Sequence, residues 1–309
     1  MKTIRHPAEL GETPRKVCVA IGVFDGVHLG HQQVIRQTIT DARQHHAIPV
    51  VITFDRHPNS VVAPERTPPL IYSLAQKLRV IGSLGVEATL LITFDRSFSE
   101  QTGEKFVRNL ARDFHHIHSI GVGSNFTFGH KRSGNVALLK TLGQELKFAV
   151  HGLAAVSLDG KIVSSTRIRE AIRNGNLDAA SQMLGRAYSA SGIVARGDQL
   201  GRQIGFPTAN LDVAGLVLPP NGVYAVHTRV GDESRPSVLN IGYRPTLKNP
   251  EPELRFEVHV LDFSGELYGQ EIEITFVEKL RDEKPFPSLD ALQHQIQRDV
   301  SAAQAIFGL

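Results

Sequence analysis

The sequence predicts two domains: a doubly wound α/β domain with a parallel sheet, then a small antiparallel β-barrel that carries a C-terminal helix. Up to about residue 184, apolar strand patterns alternate with helical patterns, which is typical of parallel α/β sheets. After residue 185, apolar and polar side chains alternate with a period of two, as in antiparallel strands that bury one face. We therefore expect domains at residues 1–184 and 185–309.

In the first part, short apolar runs predict strands, and the amphipathic segments between them predict helices. The predicted strands are residues 17–23, 49–54, 88–94, 117–122 and 148–157. The predicted helices are residues 30–45, 73–84, 99–114 and 135–143. Sheets of this class bind ligands at the carboxyl ends of their strands, so we expect a site at that edge.

In the second part, residues 254–260 and 271–277 alternate apolar and polar side chains. Turn signals such as Pro-Pro-Asn-Gly at 219–222 separate these runs, which favours a small antiparallel barrel. A final helix is predicted to begin at Ser288, because apolar residues follow it at helical spacing. These apolar residues are Leu289, Leu292, Ile296 and Val300.

The charge of the chain is unevenly distributed. Residues 1–184 hold 22 Lys and Arg against 15 Asp and Glu, whereas residues 185–309 hold 12 against 16. The charges of the basic part are scattered and no aromatic stacking pattern accompanies them, so we expect phosphorylated small molecules as partners and no nucleic acid. The sequence does not determine the oligomeric state, and a monomer could function.

The start of the chain and its apolar runs bear on its location. The first residues lack the apolar stretch of a secretory signal, and no run is long enough to span a bilayer. We therefore expect a cytoplasmic protein without a membrane partner. Cys18 is the only cysteine, and its place in an apolar run predicts a small core residue rather than a nucleophile.

Residues 22–31 read GVFDGVHLGH and form the most informative motif. The motif closes an apolar strand and opens a helix, so its glycines let a ligand approach the backbone and the first helical amides favour a phosphate. His28 and His31 are three positions apart and share one helix face. The alternative is that both histidines are solvated or hydrogen-bonded without a ligand.

Residues 163–173 read VSSTRIREAIR, which places hydroxyl side chains at a helix N-terminus and arginines on its first turns. Beside the first motif, this segment predicts further phosphate ligands. Alone, it is better explained as an N-cap followed by solvated arginines. Residues 192–210 end in GRQIGFPTAN, where glycines could wrap backbone amides around phosphates in a setting unlike a Walker loop.

These motifs resemble those of the bacterial bifunctional riboflavin kinase and FMN adenylyltransferase family, namely GxFDGxHxGH, ISSTxIR and GRxxGFPTAN. Val163 replaces the usual Ile, and the resemblance covers about residues 15–308. It implies a Rossmann-like nucleotidyltransferase domain of the HxGH type, followed by a riboflavin kinase barrel. ATP would phosphorylate riboflavin to FMN in the second domain and adenylylate FMN to FAD plus pyrophosphate in the first.

In the first domain, the resemblance implies that His28, His31 and Arg169 are catalytic. The implied ATP ligands are Gly22, Phe24, Asp25, Gly26, His28, Gly30, His31, Ser164, Ser165, Thr166 and Arg169. A phosphate monoester is already anionic, so its adenylylation needs alignment and charge stabilisation rather than a general base. Mg²⁺ would bridge phosphate oxygens.

The flavin site of this domain is implied by two further segments, TFDRHP at 53–58 and GSNFTFG at 123–129, with KRSG continuing the second. The implied flavin ligands are Phe54, His57, Asn125, Phe126, Phe128 and Arg132. Asn125 stands where many relatives carry Asp, so it can form hydrogen bonds but supplies no charge. The alternative for Phe126 and Phe128 is core packing.

In the second domain, the implied ATP ligands are Gly197, Gly201, Arg202, Gly205, Pro207, Thr208 and Asn210. Thr208 and Asn210 would also hold Mg²⁺ through oxygen atoms. The ribityl hydroxyl of riboflavin is neutral, so a base should help its attack. The family places a glutamate on a strand inside the barrel, and Glu257 matches it; otherwise Glu257 is a solvated carboxylate.

Other functions stay open. Kinase activity alone would follow if Asn125 compromised the flavin site, and a binding regulator could keep the fold without turnover. A nucleic-acid-binding function is disfavoured by the acidic barrel. The run His115-His116-x-His118 follows a helix of polar character and is interpreted as surface histidines rather than a metal site.

Overall fold

A computed structural model describes residues 1–11, 15–196, 201, 204–244 and 253–309. The chain divides into two compact units. The first unit comprises Met1–Arg167 and Met183–Gly185, and the second comprises Ile168–Gln182 and Arg186–Leu309. None of the helices formed by the described residues is long and apolar enough to cross a membrane.

The first unit is built on a parallel six-stranded sheet in the order β1-β4-β3-β2-β5-β8. Its strands are β1 (Lys2–Ile4), β2 (Val17–Ile21), β3 (Ile48–Phe54), β4 (Ala88–Ile92), β5 (Ile117–Gly123) and β8 (Ala149–Leu153). Two short hairpins add β6 (Thr127–Phe128) with β7 (Gly134–Asn135), and β9 (Ser157–Leu158) with β10 (Lys161–Ile162).

Helices connect these strands. They are α1 (Leu29–Gln44), α2 (Asn59–Val62), α3 (Leu74–Ser83), α4 (Arg96–Ser99), α5 (Gly103–Phe114) and α6 (Val136–Leu146). Two more, α7 (Ser165–Arg173) and α8 (Leu177–Leu184), have residues in both units. Polar N-caps fix where helices begin: for example, Ser73 accepts a hydrogen bond from the backbone N–H of Gln76, and Asn135 from that of Leu138.

The sheet is covered on both faces, so the predicted doubly wound fold is confirmed. Alternate residues of β2 point to opposite faces. Val19 belongs to a core cluster that includes residues of α5 and α6, whereas Ala20 belongs to a cluster with residues of α1 and α3. Cys18 is fully buried in β2, and burial raises the pKa of its thiol to about 11, as befits a core residue.

Two predicted boundaries in this unit were wrong, and one strand was not predicted. The helix predicted at 99–114 is split, because the side chain of Thr102 accepts from the N–H of Lys105 and starts a new helix at Gly103. The strand predicted at 148–157 ends at Leu153, and β9 and β10 form a separate hairpin. The short strand β1 pairs with β4 at the sheet edge and was not predicted.

The second unit is a closed antiparallel barrel in the order β11-β12-β15-β14-β13-β16. Its strands are β11 (Ser189–Ala195), β12 (Ala209–Asp212), β13 (Gly222–Val230), β14 (Glu233–Arg244), β15 (Glu253–Val260) and β16 (Glu271–Arg281). The predicted C-terminal helix, α9 (Leu289–Phe307), is confirmed, and the side chain of Ser288 caps it by accepting from the N–H of Ala291.

The two faces of the barrel wall have different roles. Inside, rings from four segments pack together: the ring of Phe276 lies 5.3 Å from that of Tyr188, 5.4 Å from that of Tyr224 and 6.5 Å from that of Phe256. Outside, apolar residues of β13 and β14 form a second cluster with residues of α9, including Val300. The outer face under α9 is therefore enclosed rather than open to solvent.

Candidate functional site

The loop between β2 and α1 is closely packed around its glycines. Gly26 has φ +77°, and a Cβ atom there would lie 2.9 Å from Cδ1 of Ile71. Any other residue would be strained by the backbone and by this contact together. The ring of Phe24 is buried beside Gly22, where a Cβ atom would lie 3.0 Å from it. The loop therefore has one compact conformation that depends on these glycines.

The carboxylate of Asp25 holds the loop against residues 71 and 72. It is 4% exposed and accepts hydrogen bonds from the backbone N–H of Ile71 at 3.0 Å and of Tyr72 at 3.4 Å. These contacts assign Asp25 a positioning role in the loop. Whether it also contacts ATP stays a prediction.

Lys77 contacts the carboxyl end of β3, at the same edge of the sheet as the loop. Its ammonium donates to the carbonyl of Phe54 at 2.8 Å and to the hydroxyl of Thr53 at 3.3 Å. Burial lowers the pKa of Lys77 to about 8, against the opposing pull of the Asp25 and Asp55 carboxylates. A buried ammonium therefore lies at the carboxyl end of β3.

The two histidines of the loop form a stacked pair at the N-terminus of α1. His28 caps the helix, because its Nδ1 accepts from the N–H of His31 at 3.4 Å. The ring centroids lie 3.6 Å apart with an interplanar angle of 18°, and the ring of His31 meets the edge of Phe24. A Cβ atom at Gly30 would lie 3.2 Å from Cε1 of His28, so glycine leaves room for this ring.

This pair is suited to an anion. Because Nδ1 of His28 accepts a backbone hydrogen bond, its ring presents the N–H of Nε2, and a donor of this kind stabilises a negative group beside the two rings. The free N–H groups of a helix N-terminus and the helix dipole add to the attraction. The geometry fits the predicted phosphate contact of His28 and His31.

The segment at the start of α7 contacts the loop through a hydrogen bond. The hydroxyl of Ser165 donates to the carbonyl of Asp25 at 3.1 Å. Ser164 caps the helix by accepting from the N–H of Arg167 at 3.4 Å. Thr166 is exposed, and Arg169 is 7% exposed. The segment thus combines the capping expected of its hydroxyls with a contact to the first motif.

Two of the predicted flavin ligands, Phe54 and Phe126, lie at the ends of one chain of phenylalanine rings. Neighbouring ring centroids along this chain lie 5.3–6.0 Å apart. The chain runs through Phe54, Phe94, Phe98, Phe106, Phe128 and Phe126. Phe126 and Phe128 are partly buried and pack against the core, so the packing alternative holds in part. Their remaining surface is available to a planar ligand.

The other predicted flavin residues differ in burial. His57 is half-buried, and its Nδ1 accepts from the N–H of Asn59. Asn125 and Arg132 are exposed. Strands β2 and β3 are parallel neighbours, so residues 22–31 and 55–57 follow the carboxyl ends of adjacent strands, as predicted for a ligand site.

In the second unit, three polar residues form a row across adjacent strands. Glu257 on β15 is the direct partner of Asn210 on β12 and of Asn240 on β14. Directly opposed residues share a face of the sheet, so the three side chains lie together. The carboxylate of Glu257 is also 3.7 Å from the guanidinium of Arg255.

Glu257 lies on the polar side of its strand, as predicted, and this side faces outward from the barrel. Its neighbours Phe256 and Val258 are buried and fill the interior, and successive strand residues point to opposite faces. Glu257 therefore lies on the outer face, where it lines a cavity of about 300 Å³ between the wall and α9. Other residues that line this cavity include Thr208, Asn240, His259, Arg281 and Asp299.

An ion pair closes the far side of this cavity. The guanidinium of Arg281 on β16 donates to the carboxylate of Asp299 on α9 at 2.8–3.1 Å. Asp299 is 5% exposed and also accepts from the amide of Gln295. A paired, hydrogen-bonded charge of this kind fixes α9 on the barrel, since losing one partner would leave the other buried and unpaired.

The GFPT segment lies at the mouth of the same cavity. Nδ1 of His259 is 2.8 Å from the carbonyl oxygen of Pro207, and its ring meets that of Phe206. A Cβ atom at Gly201 would lie 2.3 Å from the carbonyl of Phe206, and Gly205 has φ +87°. Thr208 lines this cavity and a second one of about 450 Å³. Gly197 and Arg202 lie outside the described residues.

These oxygen donors fit a hard cation. Thr208 offers a hydroxyl and Asn210 an amide oxygen, and Asn210 lies directly opposite the carboxylate of Glu257. Mg²⁺ prefers such oxygen ligands and keeps several waters or phosphate oxygens besides. The donor set is therefore compatible with the predicted Mg²⁺ site.

Two family models match the chain. The model for FAD synthetase matches residues 10–167, and the model for riboflavin kinase matches residues 184–307. A curated bifunctional riboflavin kinase/FMN adenylyltransferase from Escherichia coli (strain K12) is 38% identical over 311 residues, covering 100% of this chain and 99% of the relative. The chain belongs to this bifunctional riboflavin kinase/FMN adenylyltransferase family.

Other members and a solved structure agree with this membership. The riboflavin kinase/FMN adenylyltransferase from Haemophilus influenzae is 37% identical, with 99% of both chains covered. A crystal structure from Streptococcus pneumoniae, described as a macrolide-efflux protein, is 30% identical with a TM-score of 0.81 and covers 98% of both chains. The description applies to the Streptococcus pneumoniae protein. For the present chain, the similarity shows a shared fold.

Four residues of the two centres were not predicted from the motifs of the riboflavin kinase/FMN adenylyltransferase family. Lys77 was read as part of an amphipathic helix, and its burial was not foreseen. Asn240 and His259 were quoted within motifs without a role, and Asp299 was not singled out. Their positions depend on strand register and on how α9 packs, which no local sequence signal reveals.

Proposed function

We propose that this chain makes FAD in two steps. The second unit transfers a phosphoryl group from ATP to riboflavin and forms FMN, and the first unit transfers an adenylyl group from ATP to FMN and releases pyrophosphate. The observation that carries the proposal is that one chain holds two different polar centres: stacked histidines on a glycine loop, and a carboxylate that lines a cavity between the barrel wall and α9.

In the first unit, the proposed reaction depends on positioning and charge. The α1 N-terminus and the rings of His28 and His31 would contact the α-phosphate of ATP and stabilise the charge that develops there. The phosphate oxygen of FMN attacks without losing a proton, so no base is required. Thr166 and Arg169 are proposed to hold the leaving pyrophosphate, and Ser165 keeps their helix against the loop.

The flavin of FMN is proposed to lie on the exposed part of the phenylalanine chain. Phe126 and Phe128 stack with centroids 5.3 Å apart, and an isoalloxazine ring can continue such a stack. Phe54, His57, Asn125 and Arg132 complete the proposed set. The exposed amide of Asn125 can donate and accept hydrogen bonds.

In the second unit, Glu257 is proposed to take the proton of the ribityl hydroxyl as that oxygen attacks the γ-phosphate. Asn210 and Asn240 flank the carboxylate on the adjacent strands and would orient it. Mg²⁺, held by Thr208 and Asn210, would supply charge stabilisation for the transferred group. Glycines 197, 201 and 205, with Arg202 and Pro207, are proposed to wrap the phosphates of ATP.

The predicted division at 1–184 and 185–309 stays part of the proposal, with one activity in each domain. The proposed partners are ATP, riboflavin and FMN, and no nucleic acid or membrane. The cytoplasm is the proposed location.

A product assay tests the function. The full chain is incubated with riboflavin, ATP and Mg²⁺, and the flavins are separated by chromatography. We expect FMN first and FAD later. FMN without FAD would reduce the proposal to a kinase, and the absence of both products would favour a binding regulator. Binding to duplex DNA that weakens steeply with salt would revive the nucleic-acid alternative.

A further inference from the structure

A cluster of histidines surrounds one carboxylate at the amino end of the parallel sheet, opposite the glycine loop. Asp41 and His45 lie at the C-terminal end of α1, and His118 lies near the start of β5. One ligand atom from each of these three residues lies within 4.8 Å of the others. None of them belongs to the proposed catalytic centres.

His118 differs from its neighbours in the run 115–118, which was interpreted as surface histidines. The fold brings Asp41 from α1 to β5, and Nε2 of His118 lies 3.9 Å from Oδ1 of Asp41. His118 is turned inward, whereas His115 and His116 are exposed.

The distances suit a tetrahedral ion. Nδ1 of His45 lies 3.1 Å from Oδ1 of Asp41, and the rings of His45 and His118 lie 3.9 Å apart. Adjacent ligand atoms of a tetrahedral zinc ion, at bond lengths of about 2.0–2.1 Å, lie about 3.3 Å apart. Small side-chain rotations would bring the three atoms to this spacing.

The carboxylate is held in place by two further donors. The hydroxyl of Ser119 donates to Oδ2 of Asp41, and Nε2 of His151 on β8 lies 3.4 Å from the same oxygen. Oδ1 is thereby left to face His45 and His118. Partners that orient a ligating carboxylate in this way are a regular feature of metal sites.

The protonation states agree with this arrangement. Burial opposes ionisation of Asp41, but the hydrogen bond from Ser119 and the charges of His151 and His118 lower its pKa below the usual range. Burial, with a contribution from His45, lowers the pKa of His118. Carboxylate and neutral imidazole are the forms that bind metals.

We propose that Asp41, His45 and His118 bind a divalent transition-metal ion of the zinc class, with a water as fourth ligand and with Ser119 and His151 orienting the carboxylate. Two imidazoles and one carboxylate select zinc over Mg²⁺, which prefers oxygen. The ion would join the end of α1 to β5 and stabilise the first unit, separately from the Mg²⁺ of the two reactions.

The test uses the full chain, stripped with a chelator and then dialysed against Zn²⁺ with excess Mg²⁺ present. We expect one bound zinc per chain by elemental analysis. When free zinc is about a hundredfold above its dissociation constant, the melting temperature should rise by roughly 5–10 °C. Co²⁺ in place of Zn²⁺ should give the visible bands of a tetrahedral site.

Three variants decide whether this cluster is the site. His118→Ala and His45→Ala should lose the bound zinc and the rise in melting temperature, whereas His116→Ala, an exposed histidine of the same run, should keep both. The side chain of His45 is 44% exposed, so His45→Ala tests the proposal even if His118→Ala folds poorly. Absence of zinc from the parent protein, or equal binding by His45→Ala, would overturn the proposal.

Discussion

The two proposed centres differ in the groups that the fold brings together. In the first unit, a glycine loop and a helix N-terminus present two stacked imidazoles. In the second unit, strands β12, β14 and β15 align a carboxylate between two amides in a cavity under α9. The difference follows the nucleophile: FMN brings an anionic phosphate, whereas riboflavin brings a neutral hydroxyl that must lose a proton.

The supports of the two centres differ as well. The first rests on a buried ammonium, Lys77, that is hydrogen-bonded to backbone and hydroxyl oxygens. The second rests on a matched ion pair between Arg281 and Asp299. Burial of the Lys77 charge costs stability that the Asp25 and Asp55 carboxylates only partly offset, whereas each charge of the Arg281–Asp299 pair has a direct partner.

The largest expected effect comes from removing the base. Glu257→Gln keeps the size of the side chain but cannot accept the proton, so FMN formation should fall roughly a hundred- to ten-thousand-fold. FAD formation from supplied FMN should be unchanged. Glu278→Gln, on the exposed part of β16, is the matched control. Equal loss of both activities in Glu257→Gln would break the distinction between the centres.

The next effect concerns the histidine pair. His28→Ala removes a ring beside the developing charge and the N-cap of α1, so FAD formation should fall roughly a hundred- to a thousandfold. FMN should then accumulate from riboflavin at the parent rate. His116→Ala serves as the control. If kinase activity fell in parallel, the two centres would not be independent.

A smaller effect concerns Lys77 and pH. Its folded-state pKa is about 8 against an ordinary value of 10.5, so between these pH values the unfolded chain binds more protons. The free energy of unfolding should therefore rise with pH across this window, by about 3 kcal/mol when complete. Urea unfolding of Lys77→Met should lack this rise, while Lys140→Met, on the exposed side of α6, should retain it.

Much of the fold was predictable from local patterns. The apolar runs that became β2 to β5, and the helical spacing after Ser288, are local signals that the structure confirms. The break at Thr102 was missed because a capping threonine inside a helical pattern looks like an ordinary surface residue. The alternation around Glu257 was enough to place it on the polar side of its strand, but the sequence does not show whether that side faces into the barrel or outward.

Contacts between distant segments were the least predictable. His118 and Asp41 are 77 positions apart, and only the packing of α1 on β5 brings them together. Asn240 and Asn210 meet Glu257 through strand register. By contrast, the capping of α1 by His28 is encoded within four residues, and the spacing of the two histidines was enough to predict their shared face.

The central claim is that two independent centres carry out two different reactions in sequence. Mixing His28→Ala with Glu257→Gln in one reaction tests it most directly, because each variant supplies the step that the other lacks. Riboflavin, ATP and Mg²⁺ should then yield FAD from the mixture, while either variant alone yields little. The claim would be contradicted if both variants are folded and His28→Ala supplies FMN, but the mixture still forms no FAD.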